Sequence, residues 1–211
     1  MTLHAHPLLS RRPHRDTPGL ALTPDNAPDI TLAPARLHEA CGAARRSFAA
    51  WLAARTEGPV FWISLKWEPA QLNPEGLADI AQPGRFTFIA PERPIDILWC
   101  MEESLRTGLV PLVVADLPKP PGLTPIRRLH LAAETGAQEG PVAPLGLILT
   151  PGDGGAPGVE SRWRMQPAHT AEARAWTLTR LRARTAPVKH WQITPGKRGF
   201  QATPPALTRD H

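Results

Sequence analysis

Two groups of residues in this chain have the types and spacing that could do chemistry. The first joins Gly42-Ala43-Ala44-Arg45-Arg46-Ser47 to Asp116, which closes the apolar run Val110-Pro111-Leu112-Val113-Val114-Ala115-Asp116. A glycine turn that feeds a helix can present backbone N–H groups to an anion, and an acid ending a buried strand is well placed for a metal-bound phosphate. A working phosphate loop needs G-x-x-x-x-G-K-[ST], because N–H groups, an ammonium and a hydroxyl must reach the phosphates together. Here the second glycine and the lysine are absent and the loop is too short, so Arg45, Arg46 and Ser47 at a helix start are left with at most a loosely held anion. Glu68 is the other acid at an expected strand end. Without a phosphate loop to hold a substrate beside Glu68 and Asp116, acid–base work is disfavoured and structural roles are expected.

The second group is basic. In Ser161 to Pro167, Arg162 and Arg164 alternate with Trp163 and Met165; in Trp176 to Arg184, Arg180, Arg182 and Arg184 fall on one side of a regular strand; Lys189 opens the next run. A row of arginines on a strand face is what contact with a phosphate backbone requires, and a solvated outer face uses the same pattern.

These residues must be positioned by the elements between them. Pro59 to Leu65, Phe86 to Ala90, Val110 to Asp116 and Leu145 to Thr150 are short and almost wholly apolar, as strands covered on both faces are. Helical spacing is expected over 46–55, 95–106 and 126–135, with a short helix over 74–80 capped by Asn73. Strands alternating with helices of this length predict an α/β fold with a mostly parallel sheet. The alternating segments after residue 160 predict an antiparallel meander added to one edge. Trp99 is assigned to the core, and Glu102 to an exposed helix face.

Composition sets the outer bounds. With 211 residues, 42% of them hydrophobic, one core is expected, and the 26 prolines gather in loops and near the ends. This predicts a flexible arm over 1–29, a core over 30–195 and a flexible tail over 196–211. A net charge of +5 is compatible with an acidic partner or a nucleic acid. Two cysteines, Cys41 and Cys100, make neither a disulfide framework nor a zinc site, and both are expected as buried thiols in helical patterns. No apolar stretch is long enough to span a membrane, and no signal-peptide core is apparent, so a cytoplasmic chain that uses no cofactor or metal is expected.

The order of these features resembles a RecA-type core over residues 30–194. The resemblance is carried by the Gly42 loop, the Pro74-Glu75-Gly76 loop, the strand ending Val113-Val114-Ala115-Asp116-Leu117, the Leu145 to Thr150 strand and the arginine-rich meander. Within that group it resembles the ImuA family through Arg36-Leu37-His38-Glu39, Leu98-Trp99-Cys100-Met101-Glu102-Glu103-Ser104-Leu105, Arg127-Arg128-Leu129-His130 and Ser161-Arg162-Trp163-Arg164-Met165. The resemblance implies an accessory role in DNA-damage-induced translesion synthesis, beside a Y-family polymerase homologue, with RecA or DNA as further contacts. It also implies that catalysis is gone: Lys66 stands where a recombinase places its catalytic glutamate, and Thr150-Pro151 where it places a polar amide. Two alternatives stay open, a SulA-like division inhibitor that binds the division GTPase and an ATPase with a degenerate phosphate loop. Arg162, Arg164, Arg180, Arg182, Arg184 and Lys189 are the expected contacts to DNA or to a partner.

Overall fold

The structure is a computed structural model that describes residues 19–23, 27–68, 72–184, 186–196 and 199–204. In chain order its elements are β1 (Leu20–Thr23), β2 (Ala27–Leu32), β3 (Leu37–Cys41), α1 (Arg45–Ala54), β4 (Val60–Ile63), α2 (Pro74–Ala78), β5 (Phe86–Ile89), α3 (Pro94–Arg106), β6 (Leu112–Asp116), α4 (Leu123–Glu139), β7 (Leu145–Leu149), β8 (Ser161–Pro167), β9 (Trp176–Ala183), β10 (Lys189–Gly196) and β11 (Gly199–Thr203).

The apolar runs become strands of one sheet ordered β11-β10-β9-β8-β3-β7-β6-β4-β5. From β8 to β5 the pairing is parallel, and from β8 outward to β11 it is antiparallel. The expected α/β class, a mostly parallel sheet with a C-terminal meander, is therefore what forms. Both faces are covered, which is why successive residues of one strand are all apolar. Leu112 and Val114 of β6 belong to the same buried layer as Phe48, Trp51 and Leu52 of α1 and Leu22, Ile30 and Leu32 of the β1–β2 hairpin. Val113 and Ala115 point the other way, onto a layer that includes Ile97, Met101 and Leu105 of α3 and Ile126, Leu129 and Ala133 of α4. Each large apolar side chain so buried contributes about 1.5–3 kcal/mol.

Asn73 caps α2 as expected, its Oδ1 accepting from the Glu75 N–H at 3.0 Å. Helix α4, in contrast, does not stop at Gly136 but runs on to Glu139. A Cβ on Gly136 would lie 2.1 Å from the Leu105 carbonyl, so this glycine lets α3 and α4 touch backbone to backbone instead of ending a helix.

Several expectations are corrected. Of the arm expected over 1–29, residues 1–18, with Arg11, Arg12 and Arg15, lie outside the described residues, but β1 and β2 pair antiparallel and bury Leu22 and Ile30. In the expected tail, Gly199–Thr203 pairs with β10, and Ala202 is buried; residues 197–198 and 205–211 lie outside the described residues. Apolar surface meeting the sheet decided both outcomes despite the local prolines. Cys41 sits at the end of a buried strand and not in a helix. Trp99 is 60% exposed, on the face of α3 turned away from the buried Ile97, Met101 and Leu105. Glu102 is buried, receiving hydrogen-bonded charge from Arg106 at 2.6 Å and Arg128 at 2.8 Å.

Candidate functional site

β3 is the strand that organises the site, and it enters the centre of the sheet between β7 and β8. Its sequence, Leu37-His38-Glu39-Ala40-Cys41, is fully buried, polar residues included. At its end Gly42 has φ +89°, and a Cβ there would lie 2.4 Å from the Met165 carbonyl. Glycine is thus required at this turn by chain packing alone. The Gly42 N–H donates to Gly152 O at 2.9 Å, and α1 starts at Arg45.

The C-terminal ends of three adjacent parallel strands, β3, β7 and β6, bring together Gly42, Thr150 and Asp116. In open α/β sheets this is the end where ligands bind. Here the space beside Asp116 is taken by the chain itself. Arg46 Nε donates to Asp116 Oδ2 at 2.5 Å, Arg45 Nε lies 3.5 Å from Oδ1, and the Asp116 side chain is 5% exposed. Arg46 also reaches Glu68 Oε1 at 3.7 Å. The two acids flagged by the sequence are therefore neighbours that share an arginine. Arg45 and Arg46, expected to be able to hold a loose anion, already hold a carboxylate. Ser47 is half-buried on α1. Lys66 pairs with Glu92 at 3.5 Å, away from this cluster.

A second buried cluster was not foreseen. Glu39, fully buried in the middle of β3, accepts from Thr150 Oγ1 at 2.7 Å, from the Gly155 N–H at 3.0 Å, from the Ala156 N–H at 3.2 Å, and from Arg162 Nε. Arg162 Nη2 also donates to Ala156 O at 2.7 Å. The Glu39 cluster ties the glycine-rich 152–155 turn to the sheet. The sequence signal for it was Glu39 between Leu37-His38 and Ala40-Cys41, an acid that demands a partner once the strand is buried. Beside it, burial pushes the Cys41 thiol up to about 12, helped by the Glu39 charge. Such a thiol is an inert core group.

His38 is buried as well. Its Nε2 donates to Ala33 O at 2.9 Å, and its Nδ1 lies 2.6 Å from Ser161 Oγ, which in turn accepts from Trp163 Nε1 at 2.7 Å. Burial lowers its pKa to about 4, so the ring is neutral.

The expected arginine row divides. A bulge between the Arg162 and Trp163 pairings leaves Leu181 without a partner: Arg162 faces Arg182, while Trp163 faces Arg180. One extra residue flips the alternation, so Arg180 and Arg182 point to opposite faces. Arg180 is 5% exposed, with its guanidinium 5.7 Å from the Trp163 ring and 5.4 Å from the Trp191 ring, donating to Pro187 O at 3.0 Å and Asp29 O at 2.9 Å. It holds the β1–β2 hairpin to the meander and is closed to a ligand. Arg162 is committed to Glu39. Arg164 pairs with the exposed Asp153 at 3.1 Å, and Lys189 with Asp29 at 2.7 Å.

Only Arg182 and Arg184 of the row remain exposed with no hydrogen bond or ion pair among the described residues. Both line a cleft of about 360 Å³ with Arg36, His130, Glu134, Gly158, Val159 and Glu160. Arg36 and the residues before β8 place it at the N-terminal end of the parallel strands, opposite the Asp116 end. Among the described residues no group of three or more His, Cys, Asp or Glu could hold a metal, and no helix is long and apolar enough to cross a membrane. Neither the protein-family models nor the curated proteins with which the chain was compared match it.

Proposed function

We propose that this chain is a non-catalytic, RecA-like accessory protein that works by binding, in DNA-damage-induced translesion synthesis. Its partner on this reading is a Y-family polymerase homologue, with RecA and DNA as further contacts. The process and the partners come from the ImuA resemblance. Support for the core comes from Gly42, Thr150 and Asp116, which end three adjacent parallel strands as a RecA-type arrangement requires.

The observation that carries the loss of catalysis is the clamp on Asp116. A carboxylate held at 2.5 Å by Arg46, with Arg45 beside it, is already neutralised and offers no free face to a metal–phosphate complex. Nucleotide entry would have to separate this pair, at a cost of about 1–2 kcal/mol. Calorimetry with millimolar ATP and magnesium is expected to show no binding heat; a saturable heat would overturn the non-catalytic reading. Pull-down of the tagged chain from DNA-damaged cells is expected to recover the polymerase homologue. Recovery of the division GTPase without any polymerase would assign the chain to the SulA-like alternative.

A further inference from the structure

The cleft at the N-terminal end of the sheet has on one wall the two arginines of the row that are unpaired among the described residues, and on the other Arg36, His130, Glu134 and Glu160. Arg36 pairs with Glu134 and lies 3.8 Å from Glu160 Oε2, so one guanidinium serves two carboxylates and that wall keeps a net negative charge. His130 is neutral, its pKa lowered chiefly by burial; its Nδ1 accepts from the Leu37 N–H at 3.3 Å and its Nε2 donates to Gly158 O at 3.1 Å. Arg182 and Arg184 therefore make the cleft net positive, and both are open to solvent.

We propose that this cleft binds an extended acidic segment of a protein partner, with carboxylates at alternate residues paired to Arg182 and Arg184. The proposal rests on the binding reading given above and names the chemistry of one partner surface. Charge complementarity selects a carboxylate or a phosphate, and the forked guanidinium suits either. The opposite wall separates them. Glu134 and Glu160 face the same space, and a nucleic-acid strand would bring a further charge at every nucleotide against them. An extended peptide carries its acids on one side and neutral groups on the other.

The test is fluorescence anisotropy with the full chain and three labelled probes: a capped peptide alternating aspartate and alanine, the same peptide with asparagine for aspartate, and an oligothymidylate. The wild type is expected to bind the aspartate peptide saturably and the asparagine peptide not at all. R182Q/R184Q is expected to weaken the aspartate peptide about tenfold or more, since each lost hydrogen bond to a charged group is worth over 1 kcal/mol. R174Q, at an exposed arginine paired with Asp79, controls for general basicity and is expected to bind as the wild type does. A thermal melt of each variant keeps folding apart from binding. No saturable peptide binding, or equal binding by R182Q/R184Q, would overturn the proposal. A loss confined to oligothymidylate would assign the cleft to phosphate. These outcomes are independent of the ATP calorimetry, which reads the Asp116 end.

Discussion

The two ends of the parallel strands use the same residue in opposite ways. At the C-terminal end, where an α/β sheet ordinarily binds its ligand, Arg45 and Arg46 are turned onto Asp116 and Glu68. At the N-terminal end, Arg182 and Arg184 are turned outward over a cleft whose two acids share Arg36. Arginine content does not distinguish the two ends; the presence of an internal carboxylate within reach does. An arginine that has found a buried acid works for the fold, and one that has not is free for a partner.

Substitutions can break this contrast, and the largest effect is expected between the two ends. Glu39→Ala removes the acceptor of Arg162, Thr150 and two backbone N–H groups in a fully buried setting. It should cost about 3–5 kcal/mol in urea unfolding. A loss under about 1 kcal/mol would mean that the Glu39 cluster does not hold the glycine-rich turn.

Acid should act next, through His38. Its folded pKa, about 4, lies below the unfolded value of 6.5, so the unfolded chain binds more protons between them. The stabilisation from a neutral His38 is therefore complete above about pH 6.5 and is lost as pH falls toward 4, by about 3 kcal/mol. Unfolding free energy measured at steps through that window should fall more steeply for the wild type than for His38→Gln. Some slope should remain in the variant, because His130 is shifted in the same direction. Equal slopes would remove His38 as the source.

Arg46→Gln should be milder, at about 1–2 kcal/mol, because Arg46 is partly exposed and Asp116 keeps Arg45 at 3.5 Å. Smallest of all, R182Q/R184Q should leave stability within about 0.5 kcal/mol of the wild type, as unpaired surface groups do. If R182Q/R184Q were instead as destabilising as Arg46→Gln, both ends would be structural and the contrast would fail.

Much of the sheet was legible from sequence. Strands β4, β6 and β7 are apolar runs covered on both faces and broken only by Asp116, and edge strand β5 was legible from Phe86-Thr87-Phe88-Ile89 although Thr87 and Phe88 are exposed. β3 escaped for the opposite reason: His38 and Glu39 look like surface residues until Ser161 and Arg162, more than a hundred positions away, supply their partners. The missing phosphate-loop residues could be read directly, but the clamp on Asp116 could not, since Arg46 and Asp116 meet only through the sheet order. The arginine row was misread because period-two spacing assumes an unbroken ladder, and a bulge of one residue is invisible in composition.

That bulge makes chain length, more than residue identity, the variable at this point of β9. Arg182 faces Arg162 and Arg180 faces Trp163, with Leu181 held between them without a ladder partner. A chain lacking Leu181 would keep both pairings and both directions, the inner guanidinium over its tryptophans and the outer ones over the cleft. Shortening here is thus the one-residue deletion that the strand is built to survive, whereas a deletion one pairing further along would exchange the inside of the protein for its outside.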